Sequence, residues 1–360
     1  QELNLTIEDI RDTGAVGADL SYDFIGRPGY HHALATGQTE FLRLALTSSL
    51  ELGVAPVQLV HGLQNHDELT YELVHWATRH AEDVYRFRGH EVSGGELAEL
   101  VRAELTEHLT GTADYNRVFT QNGIACTTAS LIAATQGIER LEDVRGEHVP
   151  VIRDAHLLLC AYNAWQPGVF ALSGWDLVGM LTVPADEVAD LISAGDTRWI
   201  ERGAHDLLDA DPAATRSAAG MPRGRALYGP LPAQLDDPAS FASRLAAILD
   251  LRRESGIATA SQLDVPEVAH AAMLVLVHRL DNGDAASDAP MQVTVLNFSG
   301  EPIVGTVRSE HLLPQSDVID AATGEDAGRV DDLQSFSVSL PAYGARFLML
   351  RAPEPEPEAD

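Results

Sequence analysis

The chain of 360 residues carries 54 acidic against 24 basic residues, a net charge of -30, with 45% hydrophobic content. Such a surface repels phosphate backbones and anionic lipid, which excludes nucleic acid and membrane as expected partners. Every basic residue is arginine, so lysine chemistry is excluded as well: no Walker phosphate loop, no Schiff base, no pyridoxal-phosphate anchor.

The length fits about two domains of roughly 150 residues each. Cys126 and Cys160 sit among apolar neighbours and form no Cys-x-x-Cys pair. They read as buried free thiols, which favours a reducing compartment. The sequence shows neither a signal peptide nor a long apolar run, and it begins at Gln1. A cytoplasmic, processed or trimmed chain is expected.

Residues 37–52 predict a helix, with Phe41, Leu42, Ala45 and Leu46 on one stripe. Pro56 opens an apolar run, residues 57–60, that predicts a strand. The polar cluster Gln64-Asn65-His66-Asp67-Glu68 follows it, and a helical pattern over 69–81 comes next. This is a strand–loop–helix unit with polar groups at the C-terminal end of the strand, where parallel α/β folds bind ligands. Read locally, Asp67 has a second meaning: a cap on the helix expected from Leu69.

Helices are expected over 95–109 and 124–137, inserted before a second unit. That unit has a helix over 152–165, a break at Pro167 and Gly168, and a buried strand over 169–172. Residues 176–238 are rich in Pro, Gly and Asp and predict a long excursion over the strand ends. A helix returns over 239–254. From Val265 the texture becomes strand-like, with runs at 273–277, 292–298 and 336–340, and predicts a small antiparallel sandwich. The alternating Pro-Glu run at 353–358 predicts disorder.

Other candidate chemistry is weaker. His31 and His32 read as a surface or helix-start pair. His66, His75 and His80 form no His-Glu-x-x-His motif, so no metal site is expected. Ser173 lacks the glycines of a nucleophile elbow. Trp165, Trp175 and Trp199 are candidate sugar platforms, with Trp175 best placed, although a core role is the commoner fate of a tryptophan.

The run Asn65-His66-Asp67 after a strand resembles the fourth conserved region of the α-amylase superfamily (glycoside hydrolase family 13). Extended to Asn65-His66-Asp67-Glu68-Leu69-Thr70, it is similar to trehalose synthases, the maltose α-glucosyltransferases. Tyr22-Asp23-Phe24 and the helix bearing His32-Ala33-Leu34 resemble the segment after the sixth barrel strand, notably in sucrose phosphorylases. Leu172-Ser173-Gly174-Trp175-Asp176-Leu177-Val178-Gly179 occupies the place of the eighth-strand motif Tyr-Tyr-Gly-Asp-Glu-Ile-Gly. Its glycines and Asp176 match, while the aromatic pair and the glutamate do not.

The resemblance implies an α/β fold: the C-terminal part of a (β/α)8 barrel with a helical insertion over 1–260, then an antiparallel β-sandwich over 265–350 and an acidic tail over 351–360. It implies a retaining α-glucosyl transfer, with maltose and trehalose interconverted by intramolecular transglucosylation. A sucrose-active phosphorylase or hydrolase, and a non-catalytic carbohydrate-binding remnant, are the alternatives. It assigns Asp67 as the third catalytic carboxylate and His66, Tyr22, Asp176 and Trp175 to substrate binding. No Gly-x-Arg-x-Asp run supplies the nucleophile, and the family's acid/base glutamate also lies upstream of the matched region. The N-terminal half of the barrel is therefore an expected partner beside the disaccharide. No cofactor is required, and calcium is not readable here because the family's ligands lie largely upstream.

Overall fold

The computed structural model describes residues 6–16, 19–280 and 290–352. The Pro-Glu run predicted to be disordered lies outside the described residues. In chain order the first half comprises α1 (Ile7–Val16), β1 (Ser21–Tyr22), α2 (Gly26–Thr36), α3 (Glu40–Glu51), β2 (Leu59–Gly62), β3 (Leu69–Thr70), β4 (Val84–Phe87), β5 (His90–Ser93), α4 (Gly94–Thr110), β6 (Arg117–Thr120), β7 (Gly123–Ala125), α5 (Thr128–Thr135) and α6 (Val149–Ala164). Then follow β8 (Val169–Ala171), α7 (Gly174–Val178), α8 (Ala189–Ile192), α9 (Leu231–Leu235), α10 (Phe241–Ser255), β9 (Ser261–Asp264), β10 (Met273–Arg279), β11 (Met291–Asn297), β12 (Ile303–Arg308), β13 (Asp317–Asp320), β14 (Asp326–Arg329), β15 (Ser335–Leu340) and β16 (Ala345–Arg351).

β1, β2 and β8 form a parallel sheet in that order. Helices lie between consecutive strands, as parallel pairing requires. Among the described residues three strands do not close a barrel, and β1 and β8 each keep an unpaired edge. Helix α6 packs against β2 and β8 on one side and against α5 and α10 on the others. Every residue from Ala155 to Ala164 is buried, the pattern of a helix apolar all round. Arg252 of α10 donates to the carbonyls of Ala164, Gln166 and Gly168, which satisfies the end of α6 and the turn into β8. That turn needs a glycine. Gly168 has φ +100°, and a Cβ there would lie 2.4 Å from the Leu59 carbonyl oxygen of β2.

The helix expected over 69–81 is not formed. Leu69 and Thr70 instead pair with β7, and the chain then makes a single π-turn, His75–Arg79. Asp67 therefore caps no helix. The inserted segment also contains two hairpins, β4–β5 and β6–β7, where the sequence predicts helices alone. Both inserted helices are present, and α4 and α5 each begin in a capping box, Ser93 with Glu96 and Thr127 with Ser130.

The C-terminal strands form two antiparallel sheets, β14-β13-β16-β11-β10-β9 and β12-β15. The larger sheet is buried on both faces. Met273, Val275, Val277, Val293, Val295 and Leu348 face the β12–β15 layer. Leu274, Leu276, Leu296 and Phe347 join the core of the helical layer. The same face carries an enclosed polar ladder. Gln292 donates to Thr294 Oγ1 at 2.9 Å and lies 3.0 Å from His278 Nδ1, and all three residues are fully buried. Alternation over 292–298 therefore does not mark a water-facing side; it sorts two different buried partners.

Burial pushes the His278 imidazole down to about 4, against the weaker opposing hydrogen bond with Gln292. An unfolded histidine takes its proton near pH 6.5, so acid stabilises the unfolded chain first. Stability from this group is complete above pH 6.5 and is lost as pH falls towards 4, by roughly 3 kcal/mol at most. Urea titrations at pH 7 and pH 4.5 should therefore differ less for His278→Gln than for the parent protein. An equal pH sensitivity of the two proteins would show that the ring is not held neutral.

Candidate functional site

The C-terminal ends of β1, β2 and β8 open on one cleft of about 160 Å³. β1 supplies Tyr22 and leads into Asp23 and Phe24. β2 supplies Val60 and Gly62 and leads into Gln64 and Asn65. β8 supplies Ala171 and leads into Leu172 and Ser173, while Arg27 enters from α2. Tyr22 is 56% exposed and stands beside Phe24, with ring centroids 5.9 Å apart.

The walls are fixed from below. Asp23 accepts from the Gly26 amide at 2.6 Å, and its other oxygen lies 3.2 Å from His61 Nδ1. His61 Nε2 lies 3.0 Å from the Pro167 carbonyl, which can only accept, so that nitrogen carries a proton. Tyr30 donates to the Gly62 carbonyl at 3.0 Å. Gln64 Oε1 accepts from the Thr128 amide at 3.1 Å, while Gln64 Nε2 and Arg27 Nε are buried and have no hydrogen-bond partner. An aromatic wall beside unspent amide and guanidinium donors suits a neutral ligand rich in hydroxyl groups.

His66 and Asp67 lie on the loop that leaves β2, beyond the residues lining the cleft. The Asp67 amide donates to Asn65 Oδ1 at 2.9 Å, closing a turn within the loop. Its carboxylate receives Arg198 Nη1 at 3.0 Å and faces Arg202 Nη2 at 3.9 Å. Arg198 also reaches Glu68 at 3.3 Å and Asp196 at 2.8 Å, and Arg202 donates to the His66 carbonyl at 2.7 Å. The 180–238 excursion thus folds back over the loop after β2. Asp67 keeps 43% of its side chain exposed and His66 keeps 74%.

Asp176, which the resemblance assigns to substrate binding, has a fully enclosed side chain. One oxygen accepts from Ser173 Oγ at 2.7 Å in the cap of α7, and the other lies 3.2 Å from His156 Nε2. Short helix α7 turns the carboxylate inward, because the third position after a serine cap reaches back to the cap. Trp175 is half-buried and donates to the Gly203 carbonyl at 2.9 Å. Trp165 is wholly buried against Phe347 and offers no face to a ligand. His31 and His32 lie inside α2, both buried, and His32 Nε2 sits 2.7 Å from Glu104. Both cysteines are buried and free.

No protein-family model matches this sequence, and no curated protein does. Solved structures do match. The chain is similar to Eubacterium rectale Amy13B at 14% identity and TM-score 0.52, over 96% of this chain and 52% of that one. It is similar to the α-amylase of Geobacillus thermoleovorans, solved with acarbose, at 14% identity and TM-score 0.50, over 96% and 51%. The α-amylase from H. orenii matches at 11% and TM-score 0.50, over 96% and 51%. At these identities the likeness shows the fold alone. The chain spans about half the length of the solved structures it matches.

Several site residues lay beyond sequence reading. Arg198 and Arg202 sit in a segment of weak periodicity about 130 residues from Asp67. Glu201, between them, is fully buried. Its Oε2 accepts from the Cys126 amide at 2.8 Å and its Oε1 has no partner. Burial pushes its carboxyl well above the usual range, against the opposing Cys126 amide and the Arg27 and Arg202 charges. A buried carboxyl group so close to the Asp67 loop carries no sequence signature. Among the described residues, no helix is long and apolar enough to cross a membrane.

Proposed function

We propose that this chain forms the C-terminal part of the catalytic unit of a retaining α-glucosyl-transferring enzyme that interconverts maltose and trehalose. The observation that carries the reading is the position of the Asn65–Thr70 run: it leaves the C-terminal end of the middle strand of a parallel sheet, beside a cleft with an aromatic wall and free polar donors. In this reading Asp67 faces the glucosyl unit and stabilises the positive charge that grows at its anomeric carbon. His66 and Tyr22 contact hydroxyls and the sugar face, and Trp175 borders the same end of the sheet. Asp176 acts through Ser173, holding the strand end in place. Nucleophile and acid/base glutamate come from the N-terminal half of the barrel, and the excursion over the loop limits access of water.

A second reading, a carbohydrate-binding chain without turnover, is favoured by one observation: the Asp67 carboxylate is already paired with Arg198. Incubating the complete protein with maltose and with sucrose decides between them. Trehalose from maltose is the expected product. Turnover of sucrose alone would move the assignment to a phosphorylase or hydrolase, and binding of either sugar without products would leave the binding reading.

A further inference from the structure

A second cluster, away from the cleft, joins the N-terminal helix to the π-turn. We propose that Glu8, His75 and His80 form a binding site for one first-row divalent cation of the zinc class. One ligand atom from each of the three lies within 4.8 Å of the others. His75 Nδ1 and Glu8 Oε2 are 3.3 Å apart, and neither makes a hydrogen bond, although both side chains are nine-tenths buried. That separation is the edge of a tetrahedron around an ion bound at about 2.0–2.1 Å. Two buried polar atoms so placed are costly unless something sits between them.

The backbone makes the pair of imidazoles. Residues five apart diverge on an α-helix. Here the π-turn hydrogen bond from the His80 amide to the His75 carbonyl, 3.0 Å, brings the two rings to a centroid distance of 4.3 Å. Single π-turns cluster at functional sites. The turn is held rigidly, because the Gly94 and Gly95 amides at the start of α4 donate to the carbonyls of Asp83 and Ala81. Gly94 is required there, since a Cβ would lie 2.1 Å from the His80 carbonyl oxygen.

Second-sphere support is also in place. His80 Nδ1 lies 2.6 Å from Asp83, which fixes the ring and turns Nε2 towards Glu8 at 2.6 Å. An ion would replace that last hydrogen bond. Arg79, half exposed, approaches Glu8 at 3.5 Å and Asp9 at 3.5 Å. It already contacts Asp9 and can swing further towards it when an ion enters. Two imidazoles and one carboxylate select zinc-class ions over calcium or magnesium, which prefer all-oxygen cages. The bound ion would staple α1 to the inserted segment.

The experiment uses the whole chain, stripped with chelator and desalted, then titrated with Co²⁺. One equivalent should bind and produce a visible ligand-field spectrum, which Zn²⁺ abolishes and excess Ca²⁺ leaves unchanged. His80→Ala and Glu8→Gln should each weaken binding by about 100-fold or more, and Asp83→Asn by about 10–100-fold. His90→Ala, at an exposed position, should bind as the parent does. Absence of a spectrum in the parent protein overturns the site, as does binding that survives both His80→Ala and Glu8→Gln. If Glu8→Gln fails to fold, the parent spectrum and His80→Ala decide alone.

Discussion

Asp67→Asn in the complete protein should lower kcat on maltose by roughly 10²–10³-fold, the scale of removing a dedicated electrostatic group. The substitution keeps size and most hydrogen bonding but removes the charge. KM should change less, because ground-state contacts largely survive. The competing view makes Asp67 a tether for the loop over 64–68. That pair is partly exposed, at 24% for Arg198 and 43% for Asp67, so as a tether it contributes about 1 kcal/mol or less. Arg198→Ala separates the two views. It breaks the ion pair and leaves the carboxylate in place. If the charge acts on the sugar, Asp67→Asn should be far more damaging to turnover than Arg198→Ala. Equal losses in kcat from the two variants, with similar small losses in melting temperature, would assign Asp67 to the loop and not to the reaction.

Legibility in the sequence followed the length and isolation of each element. Helices with a clean apolar stripe, such as α3 with Phe41, Leu42, Ala45 and Leu46, were readable within a few residues. So were β10, β11 and β15. The parallel sheet was readable through its polar loop more than through its strands. β1 is two residues long, too short for periodicity to register, whereas β8 falls within the strand expected over 169–172. The stretch over 69–81 misled because Leu69, Leu73, Trp76 and Ala77 have helical spacing. Pairing of Leu69 with Ile124 of β7 prevailed, as tertiary contacts override local preference. Asp176 was placed at the right strand end, but the Ser173 cap that draws it inward is a matter of side-chain geometry. Glu8 is 67 residues from His75, so no spacing rule could join them.

The two predicted domains share one apolar core, in which Trp165 at the end of α6 stacks on Phe347 of β16 with ring centroids 3.9 Å apart and planes 14° apart. Neither ring reaches water. Trp165→Ala removes the largest side chain at this seam and leaves a void that the rigid sheet cannot fill, at a cost of about 3–5 kcal/mol. For a chain of this size, that corresponds to a drop in melting temperature of roughly 4–7 °C. The parent should unfold in a single calorimetric transition, since the same sheet belongs to both cores. Trp165→Ala should broaden or split it, because the inner sandwich core around Val275, Val295 and Val338 no longer depends on the helical layer. Val338→Ala is the control: it should lower stability inside the sandwich without uncoupling the two layers. A Trp165→Ala protein that melts within about 1 °C of the parent, yet binds maltose more weakly, would move this ring from the core seam to a sugar platform.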